Sequence, residues 1–303
     1  MILLTGVTGF IGSKLLSRLP AQDVVAACRN PERFCAYKKS LYFNLDTDSY
    51  GDFDFNGIKT IIHLAAIAHS SAGSEMEFNQ RNHLSVLRFA QAAADAGVRR
   101  FIFLSSIGVN GGSSSKPFAH DDTPNPHDIY STSKYNAELA LKEISIKTGL
   151  EVVIIRPPLV YGKGAPGSFG NLLKLAKTNL PLPLGAIHNK RSFISIDNLI
   201  DFIVTCIEHP LAEGKTFLVS DDDDVSTTVF IKNLIEASGK TPYLIPVNIS
   251  LLRFVAGLAG KSSMIDKLAY DLQIDLSYAK DTLGWKPPVS LQEGIRRCFT
   301  DDE

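Results

Sequence analysis

Met1-Ile2-Leu3-Leu4-Thr5-Gly6-Val7-Thr8-Gly9-Phe10-Ile11-Gly12 opens the chain, and its reading decides the fold. The apolar run at 2–4 predicts a buried strand. Glycines follow at Gly6, Gly9 and Gly12, and Leu15, Leu16 and Leu19 begin a helical pattern. Strand, tight turn and helix N-terminus in that order make a pyrophosphate-binding device. Glycines let the backbone approach the ligand, while unpaired amides and the helix dipole attract its charge. The glycine spacing is weak evidence alone; directly after a first strand it points to a dinucleotide site.

Working outward, strand patterns fall at 1–5, 24–28, 60–64, 100–105, 151–155 and 216–219. Helical patterns lie between them at 12–19, 79–96, 130–148 and 197–208. Such alternation predicts an α/β protein with a Rossmann-like, doubly wound parallel sheet, whose ligands sit beyond the strand carboxyl ends. After Tyr161 the texture changes, with Gly162, Gly164, Pro166, Gly167 and Gly170, then Pro181 and Pro183. The expected division is a dinucleotide domain over 1–162, with elements near 190–220 returning to it, and a smaller C-terminal α/β substrate lobe over most of 163–303.

Composition narrows the partners. The 303 residues are 45% hydrophobic and 21% charged, with formal net charge −1, so no overall field steers the chain to nucleic acid or anionic lipid. Cys28, Cys35, Cys206 and Cys298 form no C-x-x-C pair. They read as reduced thiols of a cytoplasmic protein with no structural metal. The N-terminus lacks a basic region and cleavage site, and the apolar run at 254–259 is too short to span a bilayer. No membrane association is expected. The block Asp221 to Asp224 reads as a solvated loop or helix start rather than a metal site.

Beyond the second strand, Val24 to Cys28, an acid would favour NAD and a base would accommodate the 2′-phosphate of NADP. Here Arg29 and Arg33 follow and no acid stands at the tip, so NADP is favoured over NAD. Further along, Ser105-Ser106 ends a strand and Tyr130 to Lys134 begins the next helix. Positions i and i+4 share a helix face, so Tyr130 and Lys134 point into one site. The Lys134 ammonium is expected to favour the Tyr130 phenolate, whose free pKa is ~10. Tyr130 then removes a substrate hydroxyl proton while Ser106 holds the oxygen.

These pieces resemble the extended short-chain dehydrogenases/reductases of the NAD-dependent epimerase/dehydratase family. The matching segments are Thr5 to Gly12, His63-Leu64-Ala65-Ala66, Asn82, Ser105-Ser106, Tyr130 to Lys134 and Arg156-Pro157-Pro158-Leu159-Val160-Tyr161-Gly162. Arg191 to Leu199 and Leu283-Gly284-Trp285-Lys286-Pro287 complete the match. The resemblance implies NAD or NADP in the N-terminal lobe and a nucleoside-diphospho-sugar in the cleft. It implies Ser106, Tyr130 and Lys134 as catalytic residues. Implied dinucleotide contacts are Gly6, Gly9, Phe10, Ile11, Gly12, Arg29, Leu45, Leu64, Ala65, Ala66, Asn82, Ser105, Tyr130, Lys134 and Pro157. Ser106, His69, Asn171 and Arg191 are the substrate candidates, with Arg191 on the diphosphate and Lys174 assisting.

Departures from the family pattern narrow the chemistry. Relatives that dehydrate carry Thr-Asp-Glu where this chain has Ser106-Ile107-Gly108, and those that epimerise beside a ketone carry Cys where Ile107 stands. Simple redox at one carbinol, hexose C4, remains. The resemblance to a bacterial subgroup handling UDP-N-acetylhexosamines, carried by Ile107 to Gly111 and Pro117-Phe118, implies 4-epimerisation of UDP-glucose or UDP-N-acetylglucosamine. The alternative is reduction of a UDP-4-keto-6-deoxy-N-acetylhexosamine. Leu159 stands where the usual epimerase pattern has Asn. A non-catalytic NADP-binding module is a third reading, opposed by the intact Ser106/Tyr130/Lys134 set. Homodimerisation through the 79–96 and 130–148 helices is possible, as Leu84, Leu87, Phe89, Ala92 and Ala93 suit either a partner or the sheet. His120, Asp121 and Asp122 read as a turn, His188 as solvated, and Trp285 as packing the tail.

Overall fold

A computed structural model describes residues 1–34, 37, 39–47, 49–68, 74–258, 260 and 262–300. Seven parallel strands form the main sheet: β1 (Ile2–Thr5), β2 (Val24–Cys28), β3 (Lys39–Tyr42), β4 (Thr60–His63), β5 (Arg100–Leu104), β6 (Glu151–Arg156) and, after the shorter β7 (Leu159–Tyr161) and β8 (Phe193–Ser195), β9 (Thr216–Leu218). Their spatial order is β3-β2-β1-β4-β5-β6-β9. Leu3 stands opposite Val25 on one side and Ile61 on the other. The order reverses between β1 and β4, which opens a crevice at their carboxyl ends.

In chain order the α-helices of the described residues are α1 (Phe10–Arg18), α2 (Glu75–Asn79), α3 (Ser85–Asp95), α4 (Ile129–Thr148), α5 (Gly167–Ala176), α6 (Ile196–Glu208), α7 (Thr227–Ala237), α8 (Ile249–Leu258), α9 (Ser262–Ala269), α10 (Ser277–Leu283) and α11 (Leu291–Arg297). Helices cover both faces of the main sheet, α1 and α6 on one and α3 and α4 on the other. Successive strand residues face opposite sides. Leu4, Ala26, Ile62 and Ile102 therefore meet Leu15 of α1 and Leu199 and Phe202 of α6. Leu3, Val25, Ile61 and Phe101 meet Phe89 and Ala93 of α3 and Leu141 of α4. Both faces are dry, which accounts for strands that read as continuous apolar runs. Phe89 and Ala93 are fully buried here, and Leu87 and Ala92 pack beside them. Most of the stripe offered to a second copy is thus used inside the chain.

Beyond β6 the chain leaves the sheet, builds the small parallel pair β7–β8, and returns through α6 to β9. A second core forms around Tyr161, Phe193, Phe230 and Leu291, with the Phe193 and Phe230 rings stacked at 3.9 Å. The acid block departs from expectation here. Asp221 is buried, not solvated: it accepts from Tyr161 Oη (2.6 Å), Ser195 N (2.9 Å) and Asn198 Nδ2 (2.6 Å). Burial raises its carboxyl pKa. Asp222 pairs with Lys280, and Asp224 accepts from Ser192 Oγ and Gln273 Nε2. The acids tie the seam between the two cores, while the cap of α7 is Ser226. Trp285 packs as expected, edge-on to Phe202 with Nε1 donating to Asp201 at 2.7 Å. Among the described residues, no helix is long and apolar enough to cross a membrane.

Candidate active site

The crevice mouth is lined first by the glycine turn. Gly6 has φ +73°, and a Cβ there would lie 2.8 Å from both the Ala65 nitrogen and the Leu64 carbonyl carbon. One on Gly12 would lie 2.1 Å from the Gly6 oxygen. The turn, the start of α1 and the segment after β4 therefore touch backbone to backbone. Gly9 is the N-cap of α1 and provides no side-chain cap, so the Phe10 and Ile11 amides face outward as donors for an anion. This cradle fits a dinucleotide diphosphate.

Behind it, the Ala65 amide donates to Thr5 Oγ1 (3.2 Å), which shares a hydrogen bond with His63 Nδ1 (3.1 Å). His63 is fully buried, and burial pushes it down to about 3, so it is neutral. Asn82 sits in a π-helical turn, Gln80–Leu84, between α2 and α3. Its amide accepts from Ile67 N (2.9 Å) and donates to Ile67 O (3.0 Å) and Ser133 Oγ (3.1 Å). The side chain thus pins the segment after β4 to α4. Leu45 packs half-buried against the core around Leu3, Val25 and Phe89. Arg29 and Arg33 are exposed beyond β2, and neither forms an ion pair among the described residues.

A capping box starts α4. Asp128 Oδ1 accepts from Ser131 N (2.8 Å), and Ser131 Oγ accepts from Asp128 N (3.1 Å). Tyr130 falls in the first helical turn, where the helix dipole favours an anion, and Lys134 follows one turn on. Ser106 caps the short 3₁₀ turn Ile107–Val109, its Oγ accepting from Gly108 N at 3.1 Å. A Cβ at Gly108 would lie 3.1 Å from Ser131 Cβ and 3.4 Å from Ser106 Oγ, so this turn packs closely against the start of α4.

The electrostatics differ from the sequence expectation. Burial pushes the Tyr130 phenol up to about 12, and the Asp128 carboxylate adds to the rise. Lys134 is 2% exposed, donates to Leu104 O at 2.8 Å and lies 4.4 Å from the Phe103 ring centroid. Burial pulls it down to about 7, partly countered by Glu138. Its amine is thus turned to the β5 carbonyl. Desolvation wins because it acts on both charged forms at once.

Arg191 bridges two segments, paired with Val225 and with Leu272. Its Nη1 donates to Lys267 O at the end of α9. Lys267 itself is exposed, and burial lowers the Arg191 pKa. Asn171 and Lys174 are exposed on α5, and no described contact joins them to Arg191. His69, Ser70 and Ser71 lie outside the described residues. His188 is exposed, and Asp122 closes the predicted turn by accepting from Ala119 N (2.8 Å). Pro157 is buried, with its carbonyl accepting from Ile107 N at 2.9 Å. Sequence reasoning missed the Asp128 cap, though its Asp-x-x-Ser spacing is readable. It also missed Glu138, which shares the Lys134 face.

Fold and site together define a dinucleotide-dependent oxidoreductase of the extended short-chain type. A model of the NAD dependent epimerase/dehydratase family matches residues 2–220, and the chain belongs to that family. It is 40% identical over 306 residues to a UDP-glucose 4-epimerase of Vibrio cholerae, covering 98% of this chain and 93% of the relative. A dTDP-4-dehydro-6-deoxyglucose reductase of Escherichia coli is 26% identical, covering 98% and 96%. Among solved structures, a UDP-glucuronic acid 4-epimerase from Bacillus cereus in complex with NAD superposes with TM-score 0.80 at 22% identity, covering 98% and 94%.

Proposed function

We propose that the protein is an NAD(P)-dependent 4-epimerase of UDP-glucose or UDP-N-acetylglucosamine. The full-length likeness to the Vibrio cholerae UDP-glucose 4-epimerase carries this reading. A nicotinamide dinucleotide held in this crevice would supply the hydride acceptor and donor at C4. Tyr130 takes the C4 hydroxyl proton and later returns it, Ser106 holds that oxygen, and Lys134 supplies positive charge beside them. Arg191, with Lys267 nearby, neutralises the substrate diphosphate. The Gly6–Gly12 turn and the N-terminus of α1 hold the dinucleotide diphosphate. The substrate lobe over 163–303, a homodimer and a cytoplasmic location belong to the same reading.

A second reading is NADPH-dependent reduction of a UDP-4-keto-6-deoxy-N-acetylhexosamine. It is favoured by Arg29 and Arg33 beyond β2, exposed and in no ion pair among the described residues, with no acid at the strand tip. Proton NMR of the protein with UDP-N-acetylglucosamine or UDP-glucose and catalytic NAD tests the choice. Growth of the galacto epimer supports the epimerase. Its absence, with the protein folded and binding dinucleotide, overturns it in favour of the reductase.

A further inference from the structure

Glu138 lies one turn beyond Lys134 on α4 and is fully buried. Its carboxylate accepts from Ser105 Oγ (2.5 Å), from Arg156 Nε (2.9 Å) and from Arg156 Nη2. Arg156, itself 2% exposed, sends Nη1 to Asn110 Oδ1 at 2.8 Å. Asn110 follows the 3₁₀ turn that Ser106 caps and donates to Ala119 O at 3.3 Å. Two backbone bonds reinforce the joint: Ser105 N to Ile155 O (2.8 Å) and Ile107 N to Pro157 O (2.9 Å). One carboxylate thus gathers the end of β5, the body of α4 and the end of β6.

Stability alone does not account for this pair. A buried ion pair costs desolvation that its attraction roughly repays, and apolar residues of similar volume commonly serve as well. What the ionic version adds is fixed geometry beside Ser106 and a negative charge one turn from Lys134. We propose that Glu138 is a positioning residue for the reaction: with Arg156 it fixes Ser106 against Tyr130 and Lys134, and it places a negative charge one turn from Lys134.

The charged and titratable groups around Lys134 define what that charge does. Glu138, Tyr130 and the Asp128 cap come from its own helix. His63 comes from β4 and is neutral, Arg156 comes from β6, and β5 offers Leu104 O and the Phe103 ring. Glu138 favours the ammonium form of Lys134, against the burial that disfavours it. Glu138→Gln keeps an acceptor for Arg156 but leaves its positive charge uncompensated beside a buried lysine.

The proposal rests on Ser106, Tyr130 and Lys134 carrying the chemistry, so its test reads Lys134 directly as well as turnover. Protein labelled with 13C at lysine Cε is titrated by NMR, with Lys134→Met to assign the resonance, and kcat is followed against pH in the holoenzyme. In Glu138→Gln the Lys134 titration moves at least one pH unit lower. Its kcat at pH 7 falls tenfold or more, its pH profile shifts, and KM for the sugar changes less than threefold. Glu138→Asp restores the charge and returns the titration towards wild type, with kcat partly reduced by the shorter reach. An unmoved Lys134 titration in Glu138→Gln, or equal losses in both variants on a wild-type profile, overturns the proposal. If Glu138→Gln does not fold, Ser105→Ala decides the matter. It cuts the tether to β5 and leaves the charge, so kcat falls several-fold with Lys134 titrating as before, and an unchanged kcat refutes the positioning. A moved titration with turnover surviving Tyr130→Phe would instead fault the catalytic assignment.

Discussion

Lys134→Met, measured without dinucleotide, should make the protein less sensitive to pH between 7 and 9. Lys134 is pulled from 10.5 to about 7 by burial at 2% exposure. Between those values the unfolded chain binds a proton that the folded chain does not, so stability rises with pH. The cost of the buried ammonium is full well below pH 7, on the order of 5 kcal/mol, and fades towards pH 10.5. From pH 7 to pH 9 the wild type recovers about 2 kcal/mol of it, allowing for the half-titrated start. With an unfolding entropy of ~2.1 cal/mol/K per residue, that corresponds to roughly 3–4 °C in Tm. The methionine cannot titrate, so its curve lacks this rise. Its loss of the bond to Leu104 O is a constant offset of ~1–3 kcal/mol that changes no slope. Burial raises the Cys28, Cys206 and Cys298 thiols in both proteins, so their effect cancels in the difference. Urea titrations of both proteins at pH 7, 8 and 9 check the argument. Parallel stability curves would show that Lys134 is not a depressed lysine and would refute it.

Tyr130→Phe should lower turnover by roughly 10²- to 10⁴-fold while dinucleotide affinity, followed by calorimetry, stays within about threefold, because the diphosphate cradle is untouched. Gly12→Ala places a methyl 2.1 Å from the Gly6 oxygen. The turn must shift by about 1 Å to regain van der Waals contact, so dinucleotide affinity falls at least tenfold. Gly97→Ala is its control: φ is +78° with nothing within 4 Å, so it loses ~1–2 kcal/mol of stability with no change in affinity. Arg29→Ala combined with Arg33→Ala should weaken NADP(H) binding tenfold or more and leave NAD(H) within twofold. Equal losses for both dinucleotides in a fluorescence titration would remove the 2′-phosphate assignment.

The sheet was legible because its strands are buried on both faces. Residues 24–28, 101–104 and 152–155 are apolar without alternation, and the strands found at 24–28, 100–105 and 151–155 differ from those bounds by one residue at most. β3, β7 and β8 escaped notice. Residues 39–42 are half exposed at the sheet edge, and three-residue strands carry no period to read. The glycine turn and the Tyr130–Lys134 face were legible because each depends on local spacing. Charge state was not, since it depends on how deeply distant segments bury a group. Asp221 shows the same blindness: four consecutive acids read as a solvated loop, yet Tyr161, 60 residues away in sequence, closes over the first of them.

The opposed shifts of Tyr130 and Lys134 have a chemical consequence. One cause, burial, disfavours both charged forms, which leaves a phenol titrating near 12 beside an amine titrating near 7. The dipole of α4 helps a phenolate, but the Asp128 cap opposes it, so the protein by itself holds Tyr130 protonated at neutral pH. A phenolate requires a further positive charge in the same low-dielectric space. An oxidised nicotinamide carries such a charge and a reduced one does not. Tyr130 is therefore the better base when the dinucleotide can accept hydride and the better acid when it can return it. A 4-epimerase needs that coupling in both directions at one carbon, whereas a 4-ketoreductase uses only the second half.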